Sequence, residues 1–565
     1  MLDCRFDDVV ILDGSGRPGV AGQVGIRDGR LVAVGRCDEP ARRVIQGDGA
    51  ALSPGFVDIH VHYDAQASWD PALSPSCLHG VTTVVGGNCG FSVAPMAPQH
   101  SRYIAEMLAR VEGMPIAALV DGVAWDWTGF GEWLGRLDGN LGVNAGFFVG
   151  HSTVRRYVMG DAASERSATD GEIAAMVGEV DRALDAGALG LSTSVTETHH
   201  DGQGRPVPSR FADDRELLAL MSALAGRPGT TLEITPRLRQ PLSDADRAQL
   251  VRFAEAAGRP LVWNALLVDA ANAPYHESLL ALSDAAAERG QRAVALTLPG
   301  PLRLRLSFQS AAFFEAVPGW EELFSVDEPT RLATLADPVR RADLRAGLDQ
   351  VPDGPLLRIL RFDDMVLGEC GGPGLNGRRL GDIAVDTGRD AFDVCCDVAV
   401  AEGLGCGFWP RSVGDDPASW AMRAQVWRRG DVLIGGGDAG AHLDAIDSFA
   451  YPTELLGPAC RDRGLVGLAT AVRWLTTLPA EVFAIPERGG LRPGWWADLV
   501  LFDPATIAPG PLELRNDLPG DGRRLWSSGS GIRSVWVNGQ ELVAGGEVTT
   551  ARSGQVIRAG RAEGS

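Results

Sequence analysis

The stretch 54–64, with the sequence PGFVDIHVHYD, constrains the fold more than any other part of the chain. Its apolar residues alternate with His60 and His62, and alternation with a period of two predicts a strand. Because side chains two residues apart on a strand point the same way, both imidazoles lie on one side of it. Neutral imidazole is a good ligand for zinc and related metals. The stretch therefore predicts either a metal-binding strand or two ordinary histidines on a half-buried strand.

After this stretch, apolar runs of strand length alternate with segments of helical pattern. The predicted strands are 81–85, 142–150, 188–194, 231–235, 260–267, 294–298 and 432–435, and the predicted helices between them include 103–111, 169–186, 214–225, 242–257 and 276–289. Strands separated by helices predict a parallel sheet, and so many in succession favour a closed β/α barrel. In such a barrel the functional residues lie at the carboxyl ends of the strands.

Both ends of the chain read differently, as short strands with tight turns such as Asp28-Gly29 and Asn538-Gly539. Neither end has enough strands for a stable module of its own. The predicted fold class is α/β, with a TIM-like (β/α)8 barrel (55–484) inserted in a small β-sandwich built from both termini (1–54 and 485–565). Residues 300–390 break the rhythm and predict an insertion, which either covers the barrel mouth as a lid or forms a solvated surface excursion.

Composition narrows the function classes. The net charge of −21 argues against nucleic acid and anionic membranes as partners, and no apolar run is long enough to span a bilayer. The nine cysteines form no CxxC pair and no signal peptide is recognised, so we expect reduced thiols and a cytoplasmic location. The chain contains no lysine, so a carboxylated lysine cannot bridge two metals.

Potential metal ligands follow three of the predicted barrel strands. They are the His60/His62 pair, Cys89 in the glycine-rich loop after the second strand, and Asp438 after the last strand. Two imidazoles, a thiolate and a carboxylate form a plausible zinc set. Cys89 alone would more often be a small apolar filler, so the prediction depends on all three loops meeting at one rim.

Several stretches resemble the N-acyl-D-amino-acid deacylase (D-aminoacylase) branch of the amidohydrolase superfamily. They are 54–64, 87–95 (GNCGFSVAP), 150–160 (GHSTVRRYVMG), 187–194 (GALGLSTS), 437–443 (GDAGAHL) and 489–504 (GGLRPGWWADLVLFDP). The resemblance covers nearly the whole chain except 300–390. It implies that His60, His62, Cys89 and Asp438 bind metal and that Asp438 is catalytic, because it handles the proton of the attacking water.

The chain departs from this branch at the fifth and sixth strands. The branch has a histidine at the end of each, whereas this chain has Thr235 and Asn264 there. Glu233 faces the same side as Thr235, so it is either a replacement ligand or a buried acid paired with an arginine such as Arg237. The sequence therefore predicts one tightly bound zinc per chain, with another divalent metal as an alternative.

Other polar residues near strand ends are candidates for binding substrate. They are His151 and Arg155 after the third strand, Asn264 after the sixth, and His442 beyond Asp438. Arginine binds a carboxylate in a bidentate manner, which favours Arg155, and also Arg210 and Arg237, as its partners. The alternative for each histidine is an ordinary hydrogen-bonded loop residue.

The predicted function is a metal-dependent amidohydrolase that cleaves a non-peptide C–N bond of an N-acyl amino acid or a related amide, including a cyclic one. The alternative is a non-hydrolytic or catalytically degenerate relative, either a lyase, an isomerase or a binding protein. It is motivated by the missing histidines. The expected partner is a small-molecule amide. The sequence does not determine the oligomeric state, and a homo-oligomer is one of the possibilities.

Overall fold

A parallel β/α barrel occupies the middle of the chain. The computed structural model describes residues 1–237, 241–310, 313–352 and 354–560. Its barrel strands are β1 (Phe56–Asp58), β2 (Val81–Gly86), β3 (Asn144–Phe147, continued by Val149–Gly150), β4 (Gly190–Ser194), β5 (Thr231–Thr235), β6 (Leu261–Leu266), β7 (Ala293–Thr297) and β8 (Val432–Ile434). Each strand pairs in parallel with the next. Beyond the strand ends, a parallel bridge between Val61 and Ala439 joins the first strand to the last.

Helices follow most of the barrel strands. Between β2 and β7 they are α1 (Ser101–Val111), α2 (Ile116–Gly122), α3 (Phe130–Leu137), α4 (His151–Met159), α5 (Asp170–Ala186), α6 (Asp214–Ser222), α7 (Asp244–Ala257) and α8 (Ala273–Glu288). The local sequence explains their limits: Thr169 and Glu172 form a capping box at the start of α5, and Gly187 in the left-handed region (φ +110°) ends it. Among the described residues, no helix combines the length and apolar character needed to cross a bilayer.

Apolar side chains fill the barrel interior below the strand carboxyl ends. This cluster includes Val57, Ile59, Val85, Phe148, Leu189, Val262, Val294, Leu296 and Leu433. A packed interior leaves only the rim for polar chemistry, so the functional residues lie above this layer.

Strands from both termini share one nine-stranded sheet. The order is Glu547–Val548, Gln540–Ala544, Ile532–Val537, Leu499–Phe502, Ala51–Pro54, Leu2–Ile11, Val20–Arg27 and Arg30–Gly35, with Ala41–Gln46 also pairing with Leu2–Ile11. The two termini meet where Leu499 pairs with Pro54 and Phe502 with Ala51. The predicted fold class, a barrel inserted in a β-sandwich built from both termini, is confirmed, while the exact limits 1–54, 55–484 and 485–565 stay predictions.

An insertion with its own core separates β7 from β8. It contains α9 (Glu321–Ser325), α10 (Glu328–Ala336), α11 (Pro338–Leu348), α12 (Pro355–Ile359), α13 (Leu380–Thr387) and α14 (Ala391–Glu402), and strand Val366–Gly368 pairs with Gly407–Trp409. Its apolar cluster extends from Leu306 to Phe408. Helix α14 lies beyond residue 390, the last residue of the predicted insertion, yet Phe392, Cys395 and their neighbours pack in the core of the insertion.

The insertion also contains a disulfide, between Cys370 and Cys406. The expectation that all cysteines are reduced is therefore wrong for this pair. The two residues lie 36 positions apart and meet because each is adjacent to one of the two paired strands of the insertion. Cys395 and Cys396, which also lie in the insertion, are free thiols.

Helix α15 (Pro417–Val426) precedes β8. After β8 the chain returns to the terminal sheet through α16 (Tyr451–Glu454), a π-helical segment (Leu455–Asp462), α17 (Leu468–Leu475) and α18 (Thr477–Val482). Strands Glu513–Leu518 and Gly522–Trp526 form a hairpin that reaches the barrel rim, where Leu525 N–H donates to Leu443 O.

Candidate metal centre

His60 and His62 lie at the carboxyl end of β1, in the extended segment just beyond it. The regular strand ends at Asp58, which is earlier than the sequence pattern predicted. Both side chains nevertheless point the same way, since their ring centroids are 5.3 Å apart. Both residues are buried. The predicted pair of imidazoles on one side is therefore present.

Cys89 and Asp438 reach the same point from the loops after β2 and β8. The Sγ atom of Cys89 lies 3.5 Å from Nε2 of His60. The Oδ1 atom of Asp438 lies 3.7 Å from Nε2 of His60 and 3.1 Å from Nε2 of His62. Cys89 (φ +58°) and Asp438 (φ +45°) both adopt the left-handed backbone region, which turns their side chains inward. The structure thus brings together all four predicted ligands.

Glu112, which the sequence analysis missed, joins this group. It follows helix α1, and its Oε1 lies 3.3 Å from Nδ1 of His62. The potential ligand atoms of His60, His62 and Cys89 all lie within 4.8 Å of one another. The same is true of those of His62, Glu112 and Asp438. The only signal in the sequence was an acidic residue between Val111 and Met114 at a helix end, which belongs to no motif.

Glu233 lies beside the centre and holds its backbone. Its Oε2 accepts a hydrogen bond from the Cys89 N–H at 2.9 Å, and its Oε1 has no hydrogen-bond partner among the described residues. Arg237 donates to Asp246 instead, so the alternative pairing of Glu233 with Arg237 is wrong. Glu233 thus supports the thiol loop and keeps one free buried oxygen.

Thr235 and Asn264 occupy the positions at the ends of β5 and near the end of β6. The Thr235 hydroxyl donates to Oδ1 of Asn264 at 3.5 Å, and Nδ2 of Asn264 lies 3.6 Å from the Cys89 sulfur. Asn264 therefore faces the thiol and Thr235 contacts Asn264, at the two positions where this chain lacks the histidines of the branch.

Burial and the nearby charges shift the pKa values of these groups in opposite directions. Burial raises the pKa of Glu112 to about 7 and that of Glu233 to about 8, and it raises the pKa of the Cys89 thiol to about 12. Burial and the neighbouring His62 lower the pKa of His60 to about 3. Burial opposes the charged form of His62, but Glu112 and Asp438 raise its pKa well above the ordinary value.

This donor set fits a divalent cation. Buried atoms without a hydrogen-bond partner among the described residues include Nδ1 of His60, Nε2 of His62, Oε1 of Glu112 and Oε1 of Glu233. Buried polar atoms are normally paired, so a cluster of unpaired donor atoms calls for a ligand. Imidazole, thiolate and carboxylate are the ligand types that zinc takes in proteins.

His151 and Arg155, which were predicted to bind substrate, lie away from this centre. Both are fully buried and converge on Glu216: Nε2 of His151 lies 2.8 Å and Nε of Arg155 lies 2.9 Å from its Oε1. Nδ1 of His151 contacts the Thr193 hydroxyl, and the Arg155 guanidinium donates to the backbone carbonyls of Ala163, Pro208 and Arg166. The polar atoms of His151 and Arg155 thus bond to other groups of the protein.

A cavity of about 170 Å³ opens beside the candidate ligands. His60, Asp438, Asn264 and His442 contribute polar atoms to its wall. Most of the other walls are apolar, formed by Leu266, Leu267, Leu296, Leu298, Leu302, Phe313 and Ile446. Phe313 belongs to the insertion, and its ring centroid is 6.5 Å from that of His442. Two of the predicted substrate-binding residues, Asn264 and His442, therefore line a space next to the metal ligands.

Comparison with known proteins places this arrangement in a family. A model of the amidohydrolase family matches residues 43–543. The chain belongs to the amidohydrolase family. An N-acyl-D-aspartate deacylase of Alcaligenes xylosoxydans is 28% identical over 567 residues, covering 98% of this chain and 94% of the relative.

Solved structures of the D-aminoacylase branch superpose on this amidohydrolase over almost its whole length. An N-acyl-D-glutamate deacylase from Bordetella bronchiseptica, complexed with zinc and a phosphonate mimic of the tetrahedral intermediate, has a TM-score of 0.66 at 26% identity and covers 99% of this chain and 100% of the relative. A D-aminoacylase with a binuclear metal centre, showing one-metal activation and second-metal attenuation, has a TM-score of 0.65 at 27% identity, with the same coverage. The amidohydrolase thus belongs to the D-aminoacylase branch and is a hydrolase of carbon–nitrogen bonds other than peptide bonds.

Proposed function

We propose that this amidohydrolase removes the acyl group from an N-acyl amino acid or a closely related amide in a reaction that requires one bound zinc ion. The observation that carries the proposal is the convergence of His60, His62, Cys89 and Asp438, two of which, His60 and Asp438, line a mostly apolar cavity. Relatives named for N-acyl-D-aspartate and N-acyl-D-glutamate deacylation support the substrate class.

The zinc is held by His60, His62, Cys89 and Asp438 in this proposal. Bound at this point, a divalent metal supplies Lewis acidity, which activates water and polarises a carbonyl. The chain's own contribution is to bring two imidazoles and two acidic groups together, with Nε2 of His62 free of hydrogen-bond partners among the described residues. Glu233 assists by fixing the backbone of Cys89.

Asp438 is the proposed general base and acid. Its side chain is 34% exposed, whereas those of the two histidines are 3% exposed, so it is the ligand candidate that water and substrate can reach. Burial would raise the pKa of Asp438, but His62 and His60 hold it below the ordinary value, so the carboxylate is ionised at neutral pH. It takes a proton from the attacking water and passes it to the leaving nitrogen.

One metal ion per chain is the proposed stoichiometry. One thiolate and one carboxylate neutralise a single divalent cation. Thr235 and Asn264 supply neutral side chains that are poor zinc ligands, whereas the related D-aminoacylase has a binuclear centre. A second ion would have only Glu112 and Glu233 as further acidic ligands, and these contact Nδ1 of His62 and the Cys89 N–H. In this proposal they stay in those contacts, and an uncompensated buried charge costs on the order of several kcal/mol.

The apolar cavity accommodates a nonpolar part of the substrate. Asn264 and His442 provide hydrogen bonds that orient the amide, and Phe313 contributes part of the insertion to the cavity wall. In this proposal the insertion serves as a lid over the barrel mouth. His151 and Arg155 stabilise the barrel through Glu216 and do not contact substrate.

The test is chelator-sensitive amide hydrolysis by the purified full-length chain. Metal-free protein is supplied with zinc and assayed against N-acetyl and longer N-acyl derivatives of apolar D- and L-amino acids, with release of the free amine as the readout. We expect activity that disappears on chelation, returns with zinc, and falls by at least about 1,000-fold in Asp438→Asn, as for loss of an essential proton-transfer group. Asp462→Asn, a change at an exposed ion pair with Arg461, is the matched control. Zinc-independent turnover, or full activity in Asp438→Asn, would contradict the proposal.

A further inference from the structure

Glu112 and Asp438 contact opposite nitrogen atoms of the same imidazole. Nε2 of His62 lies 3.1 Å from Oδ1 of Asp438, and Nδ1 lies 3.3 Å from Oε1 of Glu112. The side chains of His62 and Glu112 are 3% and 4% exposed, so water does not compete for this contact. A neutral imidazole carries a proton on one nitrogen and a lone pair on the other, and the partner of one nitrogen decides which.

His60 lacks such a partner. Its Nε2 faces Cys89, while its Nδ1 has no hydrogen-bond partner among the residues that the structure describes. The two histidines of the pair therefore differ in their outer contacts, and His62 is the one whose orientation a carboxylate fixes.

The position of Glu112 is itself well defined. Glu112 ends helix α1, and its N–H donates to Leu108 O at 2.9 Å. Its carbonyl oxygen accepts a hydrogen bond from the N–H of His442, which lines the cavity. The next residue, Gly113, has φ +58°, and a Cβ there would lie only 3.2 Å from His442 Cα and Nδ1. The end of α1 thus contacts the loops after both β1 and β8.

We propose that Glu112 is a positioning residue for the metal centre. In this proposal Oε1 of Glu112, which has no other partner among the described residues, accepts a hydrogen bond from Nδ1–H of His62 across the 3.3 Å contact. The lone pair of His62 is then on Nε2, facing Asp438 and the metal. This inference rests on the proposed function, since it assumes that zinc binds between His62 and Asp438. Outer carboxylates that orient a metal-bound imidazole typically change metal affinity by about 10- to 100-fold.

The experiment compares zinc affinity, without substrate, in the full-length metal-free chain. The variants are Glu112→Ala and Glu112→Gln, and the control is Glu106→Gln, which changes an acid on the same helix that pairs with Arg102 at the surface. We expect Glu112→Ala to weaken zinc binding by roughly 10- to 100-fold. Glu112→Gln should weaken it less, because the amide oxygen still accepts a hydrogen bond, and the control should match the wild type.

Two further readouts separate positioning from a general structural effect. The melting temperature of the metal-free variants should stay close to that of the control. Nitrogen-15 spectra of labelled histidine in the zinc-bound protein should show one ring with a fixed Nδ1–H, and that signal should shift or broaden in Glu112→Ala. If Glu112→Ala does not fold, Glu112→Gln, which keeps the shape of the side chain, carries the same comparison.

The outcomes distinguish the inference from the function on which it rests. Wild-type zinc affinity in Glu112→Ala overturns the positioning role alone. An equal loss in Glu112→Gln and Glu112→Ala also overturns it, because that pattern indicates a direct ligand. A wild-type chain that binds no zinc overturns the proposed function and this inference together.

Discussion

Nε2 of His62 lies 3.1 Å from Oδ1 of Asp438, although the two residues follow the first and the last strands of the barrel. The backbone sets this distance: His62 N–H donates to Ala439 O at 2.7 Å, and Asp438 N–H donates to His60 O at 3.0 Å. The hydrogen bonds that join β1 to β8 are therefore the same ones that assemble the ligands. Because backbone groups make these bonds, replacing a ligand side chain should leave the barrel intact.

The first prediction concerns His60. We expect His60→Ala to bind less than about one-tenth of the wild-type zinc under matched conditions, because a four-ligand zinc site then keeps only three ligands. Elemental analysis after dialysis measures the bound metal, and circular dichroism reports the fold. His100→Ala, a change outside the metal-ligand set, is the control. Wild-type stoichiometry in His60→Ala would remove His60 from the ligand set.

Local patterns predicted the barrel and brought its candidate metal ligands to notice, because each pattern depends on short-range chemistry. The strand 231–235 coincides with β5, and the helix 169–186 differs from α5 by one residue, since a capping box and a glycine mark its ends. The ligands His60, Cys89 and Asp438 were recognisable because barrel topology places all strand carboxyl ends at one rim.

Contacts between distant segments could not be read in the same way. Glu112 follows a helix and not a strand, so the expectation that functional residues lie at strand carboxyl ends does not predict it. Cys370 and Cys406 meet only through the folding of the insertion. The sequence correctly placed His151 and Arg155 near a strand end. Their contact with the buried Glu216 of α6 could not be predicted, because Glu216 is more than 60 residues away in the sequence.

The second prediction tests the sheet shared by the termini. Deleting residues 1–48 removes the strand Leu2–Ile11 and exposes apolar side chains such as Leu499, Leu501 and Trp536, which pack against it. We expect insoluble protein, because an exposed apolar edge associates with other chains. A finer test is Phe6→Ala, whose ring packs 5.3 Å from that of Trp536 and whose loss should cost about 3–5 kcal/mol. Val20→Ala, at a 66% exposed position, is the control. A soluble, cooperatively melting truncation would contradict the shared core.

The third prediction concerns Glu216. Burial would raise its pKa, but His151 and Arg155 lower it overall, so its folded-state pKa is below its unfolded-state value. Its stabilising contribution is therefore present above the unfolded-state pKa of about 4.3 and is lost as pH falls through the folded-state pKa. Glu216→Gln should lower stability at pH 7 by about 3–5 kcal/mol, because Arg155 then keeps an uncompensated buried charge.

Thermal unfolding between pH 3 and 8 checks this prediction. The variant should melt well below the wild type at pH 7, and the difference should shrink as the pH falls below about 4. Glu255→Gln changes the exposed pair with Arg289 and should alter stability by less than about 1 kcal/mol. Equal effects of the two substitutions would contradict a special role for the buried network.

The last prediction follows from Thr235 and Asn264. Their side chains lie 3.5 Å apart, and Nδ2 of Asn264 lies 3.6 Å from the sulfur of Cys89, so we expect imidazoles at both positions to add ligands beside the thiolate. Wild-type protein should retain close to one zinc per chain after exhaustive dialysis. The double variant Thr235→His/Asn264→His should retain close to two, because the added ligands turn the thiolate into a bridge between two ions. Each single variant supplies only one new ligand and should stay near one. Elemental analysis, divided by protein concentration, gives the zinc-to-chain ratio of the wild type, both single variants and the double variant. A wild-type ratio near two would show that Glu112 or Glu233 already serves as a ligand for a second ion.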